Sequence, residues 1–340
     1  VSLALRARRH GDPAMRRYRV DVHADAHSRL KAMADDVLRG LADRPRWLLP
    51  KYFYDAAGSR IFDEITRLPE YYPTRVETAL LDALGPTIMR SLRPRDVVEL
   101  GSGFSVKTRR LLAARDRRVP LRYTPVDVDQ EAVAAGADQL LQIDPDVEVH
   151  AVIGDFERHL VHVPARRGRR LVLFLGSTIG NLDPGGRHAL LQQIRDLVRR
   201  GDRVLLGVDL VKDVAVLEAA YDDGAGVTAR FNRNILRVIN HGLGANFQPE
   251  AFQHQAWYNA AESRIEMHLV AIAPQVVRVR NLDLTVRLES GETIRTEYSY
   301  KFTRASARAM LESAGFRLEG WHTDRHAQFA LALAAPAKPA

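Results

Sequence analysis

The stretch DVVELGSGFSVKT, Asp96 to Thr108, decides the fold. An apolar run of strand length leads into two glycines, Gly101 and Gly103, and then into the start of a helix. This order approaches the nucleotide-binding pattern G-x-G-x-x-G, but Val106 stands where the third glycine belongs. A dinucleotide places its pyrophosphate over the helix N-terminus, where the third glycine lets helix and strand pack closely. With that glycine absent and Lys107 in the first helical turn, the turn suits a different ligand.

Strand-like and helix-like segments alternate outward from this point. RYTPVDVD, VEVHAVIGDF, RRLVLFLGST and DRVLLGVDL follow as short apolar runs, with helices expected from about Ser105, Gln130 and Gly186. Five such strands separated by helices predict a parallel sheet covered on both faces. After Leu210 the pattern changes to a loop and helix and then a meander, FQHQAWYN, RIEMHLVAIA, VVRVR, LTVRLES and IRTEYSYKF. A last helix, SARAMLESAG, and two strands, FRLEGWHTD and FALALAA, are placed to complete the first sheet. The expected division is residues 1–211 as an N-terminal helical arm and core, 212–300 as an inserted α+β unit, and 301–340 as the end of the core. Before the core, Thr74 and Glu77 read as a capping box that starts a helix at about Arg75.

The 340 residues, 46% of them hydrophobic, suffice for a large core. The absence of cysteine excludes disulfides, thiolate metal sites and a cysteine nucleophile. No run reads as a signal peptide or membrane span, so a cytoplasmic protein is expected. The net charge of +8 raises nucleic acid as a partner, but the excess lies largely in Arg6 to Arg19 and in RRGRR at Arg166 to Arg170. Neither segment interleaves aromatics for base stacking, and the expectation is a solvated surface without nucleic acid or membrane, on a monomer.

Ligands of parallel sheets sit at the carboxyl ends of the strands. Four such ends here carry glycine or polar residues: Gly101 to Gly103, Asp127, Asp155, and Gly176 to Asn181. Asp127, about two dozen residues after Gly103, suits ribose hydroxyls, while Asp155 and Phe156 suit an adenine amino group and ring face. Lys107 suits the carboxylate of an amino-acid moiety. Adenosine joined to an amino acid is S-adenosylmethionine, and Glu99 completes the E-x-G-x-G pattern of enzymes that use it.

The chain also carries KYFYDAAGSRIFDEITRLPEYYPTR, VELGSG, VDVD, GDFE, FLGSTIGNL, GVDLVKD, AYDDGAGVTARFNRN, RIEM and TEYSYKF, in unbroken order from about Lys51 to Phe302. In these motifs it resembles the L-histidine Nα-methyltransferases of the ergothioneine pathway. The resemblance implies an α/β fold, a Rossmann-like class I S-adenosylmethionine-dependent methyltransferase core with an inserted α+β substrate domain. It implies three successive methyl transfers that convert histidine, through its mono- and dimethylated intermediates, into hercynine. Cofactor contacts are implied at Gly101, Lys107, Asp127, Asp155 and Phe156. Substrate contacts are implied at Tyr71, Asn181, Tyr221, Glu297 and Ser299, with Tyr54, Gly176 and Met267 lining the pocket.

Methyl transfer is an in-line displacement at a sulfonium carbon and needs positioning rather than a metal or covalent nucleophile, so no metal is expected. His159 and His162 lack a third ligand. A neutral amine is required, and Tyr54 or a water is the candidate proton acceptor. On TEYSYKF, Glu297 and Ser299 lie on one strand face and can address the two imidazole nitrogens. Asn181 and Tyr221 are expected to hold the substrate carboxylate by neutral hydrogen bonds. The rival readings are a methyltransferase for another amino acid or an aromatic amine, a nucleic-acid-modifying protein, and a nicotinamide oxidoreductase. An indole has no use for Glu297, GSTIGN stands where a base methylase carries an N/D-P-P-Y-like sequence, and Val106 with Lys107 disfavours a dinucleotide.

Overall fold

The computed structural model describes residues 17–337, so most of the basic segment Arg6 to Arg19 lies outside the described residues. The chain enters through β1 (Tyr18–Val22), α1 (Ala26–Ala42), β2 (Arg46–Trp47), α2 (Ala56–Ile65) and α3 (Tyr72–Leu92). It continues through β3 (Asp96–Leu100), α4 (Val106–Leu112), β4 (Leu121–Asp127), α5 (Gln130–Ile143), β5 (Val147–Ile153), β6 (Arg170–Phe174), α6 (Pro184–Leu197) and β7 (Arg203–Asp209).

The main sheet has eight strands in the order β1-β5-β4-β3-β6-β7-β14-β13, where β13 (Phe316–Thr323) and β14 (Phe329–Pro336) come from the chain's end. β1 and β3 to β7 run parallel, while β14 is antiparallel to both β7 and β13. This is the order of a Rossmann-like class I methyltransferase core. Strand order reverses at β3, which lies between β4 and β6, so the crevice above its carboxyl end is the natural ligand site. Every residue of β3 and β6 is buried, and successive side chains enter different cores. Val97 and Leu171 pack beneath α3, α4 and α5, whereas Val98 and Val172 join the cluster that includes residues of α6 and of α9 (Arg304–Ser313).

The middle of the chain, α7 (Val214–Ala219), α8 (Val227–Leu243), β8 (Phe252–Asn259), β9 (Arg264–Ala271), β10 (Gln275–Val279), β11 (Leu284–Leu288) and β12 (Thr293–Tyr300), forms a second unit. Its four-stranded sheet runs β2-β12-β9-β8, and β10 and β11 form a separate hairpin.

Three features depart from the sequence expectations. The segment YRVDV is a strand, not part of a helical arm: Tyr18 and Val20 pack on Val133, Ala151 and Ile153 and extend the parallel sheet. The second unit takes up residues before the core as well as 212–300, because Val37, Leu41, Leu48, Phe53 and Ile65 share one apolar cluster with Phe231, Ile235, Phe252 and Met267. The Thr74–Glu77 box does not form; α3 begins at Tyr72 with Pro73 in its first turn and no side-chain cap. Glu77 instead turns inward and is fully buried at the end of β6. Among the described residues no helix is long and apolar enough to cross a membrane.

Candidate active site

The carboxyl ends of β3, β4, β5 and β6 build one half of the site. Gly101 (φ +66°) and Gly103 (φ +46°) take left-handed conformations that side chains disfavour, and a Cβ on Gly103 would meet nothing within 4 Å. A Cβ on Gly101 would stand 3.7 Å from the Phe156 ring, so this ring lies over the glycine loop. Phe156 is fixed edge-on against Phe174, with ring centroids 5.3 Å apart. Asp127 holds the loop from below, accepting from Gly103 N–H at 2.8 Å and Asp129 N–H at 3.0 Å. Burial raises its carboxyl pKa against the pull of those donors. Asp155 accepts from the Glu157 amide at 2.9 Å and lies 3.4 Å from the Lys51 ammonium.

Ser105 and Ser177, one beside each glycine turn, also adopt positive φ. Two non-glycine residues in this conformation, one at the end of β3's loop and one after β6, mark backbone held in place by its surroundings. Ser105 is tied through Tyr123 to Glu99, whose carboxylate also takes the Thr108 hydroxyl. Glu99 therefore faces the interior beneath the loop, and burial lifts its carboxyl to about 7.

Lys107, which the sequence suggested as a partner for the carboxylate of an amino-acid moiety, is ion-paired with buried Glu77. The same carboxylate accepts from Gly176 N–H at 2.8 and 2.9 Å and thereby joins α3 to the ends of β6 and α4. A Cβ on Gly176 would lie 3.5 Å from the Lys107 ammonium, which places Lys107 at the rim of the same crevice.

The second half comes from β12. Glu297 stands opposite Met267 of β9, and the ladder shifts between Arg295 and Glu297, a bulge of the kind that re-aims side chains. Asn181, in the turn after β6, donates from Nδ2 to Glu297 Oε1 at 2.9 Å and to the Tyr298 carbonyl at 2.8 Å. The Tyr298 carbonyl can only accept, which fixes the amide orientation, and the two contacts engage both of its hydrogens. With both amide hydrogens engaged, Asn181 is left with Oδ1 as an acceptor and does not offer the N–H that was expected to grip a carboxylate. Burial pushes the Glu297 carboxyl up to about 7, against Lys301 and Asn181, which favour its charged form.

Ser299 Oγ and the Tyr221 hydroxyl are 2.7 Å apart, both buried. Tyr71 stands edge-on to Tyr221, and Tyr54 edge-on to Phe62 and Phe231. Tyr54 is 42% accessible yet flanked by protein, and that environment raises its phenol pKa, reinforced by the nearby charge positions of Glu297, Tyr221 and Asp127. Tyr54 thus feels the residues of both halves. Tyr72, the neighbour of Tyr71, is buried and donates to Asp209 at 2.8 Å. Met267 belongs to the apolar core of the second unit beneath the strand.

Three residues to which sequence reasoning gave no role, Lys301, Lys212 and Asp209, complete this region. Lys301 is buried and contacts Asp209 at 2.8 Å, Ser299 Oγ at 2.8 Å and Tyr221 Oη at 2.9 Å. Lys212 pairs with Asp209 at 2.6 Å and donates to Tyr72. Burial would raise the Asp209 carboxyl, but Lys301 and Lys212 outweigh it and hold Asp209 below the usual carboxylate range. Lys301 was within reach of sequence reasoning, since it has the same strand parity as Glu297 and Ser299.

The residues fit a group with an adenosine and an amino-acid end: an open glycine loop under an aromatic ring, a half-buried carboxylate at the end of β4, and a cation at the rim. Comparison with known proteins points to the same cofactor. A family model described as histidine-specific, S-adenosylmethionine-dependent methyltransferase matches residues 33–336. The histidine N-alpha-methyltransferase of Mycobacterium tuberculosis is 51% identical over 305 residues, 89% of this chain and 95% of that one. The protein of the same name from Mycolicibacterium smegmatis is 49% identical, covering 91% and 96%. Ergothioneine biosynthesis protein 1 of Schizosaccharomyces pombe is 28% identical over 78% of this chain and 36% of its own.

Proposed function

This chain belongs to the histidine-specific, S-adenosylmethionine-dependent methyltransferases, and from that premise we propose that it trimethylates the α-amine of L-histidine, giving hercynine for ergothioneine biosynthesis. The observation that carries the reading is the Asn181–Glu297 hydrogen bond, which joins a cofactor strand end to the strand that carries Glu297 and Ser299.

S-adenosylmethionine, when bound, supplies a methyl group already activated by its sulfonium charge. Gly101, Asp127, Asp155 and Phe156 hold the adenosine, and the ammonium hydrogens of Lys107 left free by Glu77 meet the carboxylate. Gly176 and Met267 shape the floor on the substrate side. Glu297 and Ser299 take the imidazole, Tyr71 and Tyr221 the carboxylate. In the first two transfers Asn181 Oδ1 accepts an N–H of the neutral amine, aiming its lone pair across the crevice; the neutral dimethylated amine has no N–H and is placed by the ring and carboxylate contacts alone. A substrate fixed at ring and carboxylate leaves the amine free to turn between transfers.

Each of the three transfers starts from an ammonium that gives up one proton, so the full reaction releases three protons. Tyr54 orients the amine or a water through its oxygen. Its raised pKa keeps the phenol protonated at neutral pH, so the released protons pass to water rather than to a tyrosinate.

The test is turnover of labelled S-adenosylmethionine with each amino acid in turn, read by mass spectrometry. Methylated histidine is expected; turnover of another amine with histidine untouched would overturn the reading.

A further inference from the structure

The ammonium of Lys301 has three hydrogens and three buried partners: Asp209, the Ser299 hydroxyl and the Tyr221 hydroxyl. Both hydroxyl oxygens accept from the same cation, and Lys301 is itself buried. When a ligand replaces the Tyr221–Ser299 hydrogen bond, both hydroxyls can point their hydrogens outward and each oxygen keeps a partner. Their fixed role is donation.

We propose that Lys301, anchored by Asp209, is a positioning and specificity-determining residue that makes Ser299 and Tyr221 hydrogen-bond donors to the substrate, so that the site takes histidine with a neutral ring. The inference rests on the reading that Glu297 and Ser299 face the imidazole. In a neutral imidazole one nitrogen donates, to Glu297, and the other accepts, from Ser299. An imidazolium would bring a second N–H toward an oxygen that already lies 2.8 Å from an ammonium. Two cations on one buried hydroxyl repel in a setting where water screens poorly.

Removing the lysine is structurally tolerable in a way that removing Asp209 is not. Without Lys301, Asp209 keeps Lys212 at 2.6 Å, the Tyr72 hydroxyl at 2.8 Å and the Leu210 amide at 3.0 Å. Lys301→Met therefore leaves the buried carboxylate paired while releasing Ser299 and Tyr221 from their common donor.

The experiment measures dissociation constants by calorimetry on protein saturated with S-adenosylhomocysteine, for histidine and for 1,2,4-triazol-3-yl-alanine, whose ring stays neutral in acid. Other titrating groups around the site are Asp209 at the end of β7 and Lys212 after it, Glu297 on β12, His254 on β8 at 2.8 Å from the Tyr221 carbonyl with Asp222 beside it, Tyr72 on α3, and Tyr54, Tyr71 and Tyr221. They are common to both ligands, as is the α-amine to a first approximation, and cancel in the ratio. With an imidazole pKa of about 6.5, lowering the pH from 7.5 to 5.5 should weaken histidine relative to the triazole by about 10-fold. Lys301→Met and Ser299→Ala should each flatten that ratio, and Lys301→Met should weaken histidine far more than it weakens S-adenosylhomocysteine.

A wild-type ratio that does not change with pH overturns the inference, and so does an equal loss of histidine and S-adenosylhomocysteine binding in Lys301→Met. Should Lys301→Met not fold, the wild-type ratio and Ser299→Ala decide the question. Failure of the wild-type protein to methylate histidine at all would instead refute the proposed function, a separate result from a separate assay.

Discussion

Asn181 and Glu297, 116 residues apart in sequence, are joined by a 2.9 Å hydrogen bond from Nδ2 to Oε1. Through this contact the turn after β6 and the bulged strand β12 hold each other in place. A hydrogen bond to a charged group is worth about 1.5–3 kcal/mol, or roughly 10- to 150-fold in affinity. Glu297→Ala is expected to raise the histidine dissociation constant by an amount in this range and to leave S-adenosylhomocysteine binding within about 2-fold. Titration calorimetry with each ligand checks the split, and parallel losses would mean that Glu297 is structural.

The Glu297 carboxyl, at about 7 in the fold, lies above its ordinary value near 4.5. Below the unfolded value both states hold the proton and the contribution to stability is complete. Between the two values only the folded state holds it, so stability is lost as pH rises through about 7. Glu297→Gln removes the titration. Urea unfolding at pH 5 and pH 8.5 should show wild type losing stability relative to Glu297→Gln at the higher pH. A wild-type gain over that window would contradict the assignment.

Glu77 is fully buried and receives both the Gly176 amide and the Lys107 ammonium. Glu77→Ala removes the partner of the Gly176 amide and of the partly exposed Lys107 ammonium, which costs about 1–3 kcal/mol. Chemical denaturation should register this loss, together with weaker S-adenosylhomocysteine binding. A variant as stable as wild type would show that Lys107 and Gly176 find other partners.

Tyr54→Phe tests the fate of the proton. A true general base contributes about 10²–10⁴-fold. With its phenol held protonated, Tyr54 should cost less than about 100-fold in kcat when replaced by Phe, with an unchanged shape of the pH profile. Loss of the alkaline limb of that profile would restore Tyr54 as the base.

Much of this architecture can be read from short segments. Apolar runs such as LVLF in β6 are buried on both faces, and such runs announce central parallel strands without help from the rest of the chain. β1 escapes because five alternating residues beside a run of arginines look like the basic segment they adjoin. Contacts between distant segments are harder: nothing local tells that Phe53 packs against Phe231, which is why the boundary of the second unit falls elsewhere in space than along the chain. The Thr74–Glu77 spacing misleads for a related reason, since the fold uses Glu77 to satisfy Gly176 and Lys107. At the site, parity on β12 makes Glu297 and Ser299 legible and extends to Lys301, but its partner Asp209 lies on another strand, visible only once the sheet is assembled.

The central claim concerns which nitrogen is methylated and how often. Proton NMR of the product formed from histidine and excess S-adenosylmethionine tests it most directly. The account predicts a single nine-proton methyl resonance on the α-nitrogen, with three S-adenosylhomocysteine molecules released per histidine and both ring nitrogens unmodified. A methyl group on the imidazole, or no methylated histidine beside turnover of another amine, would contradict it.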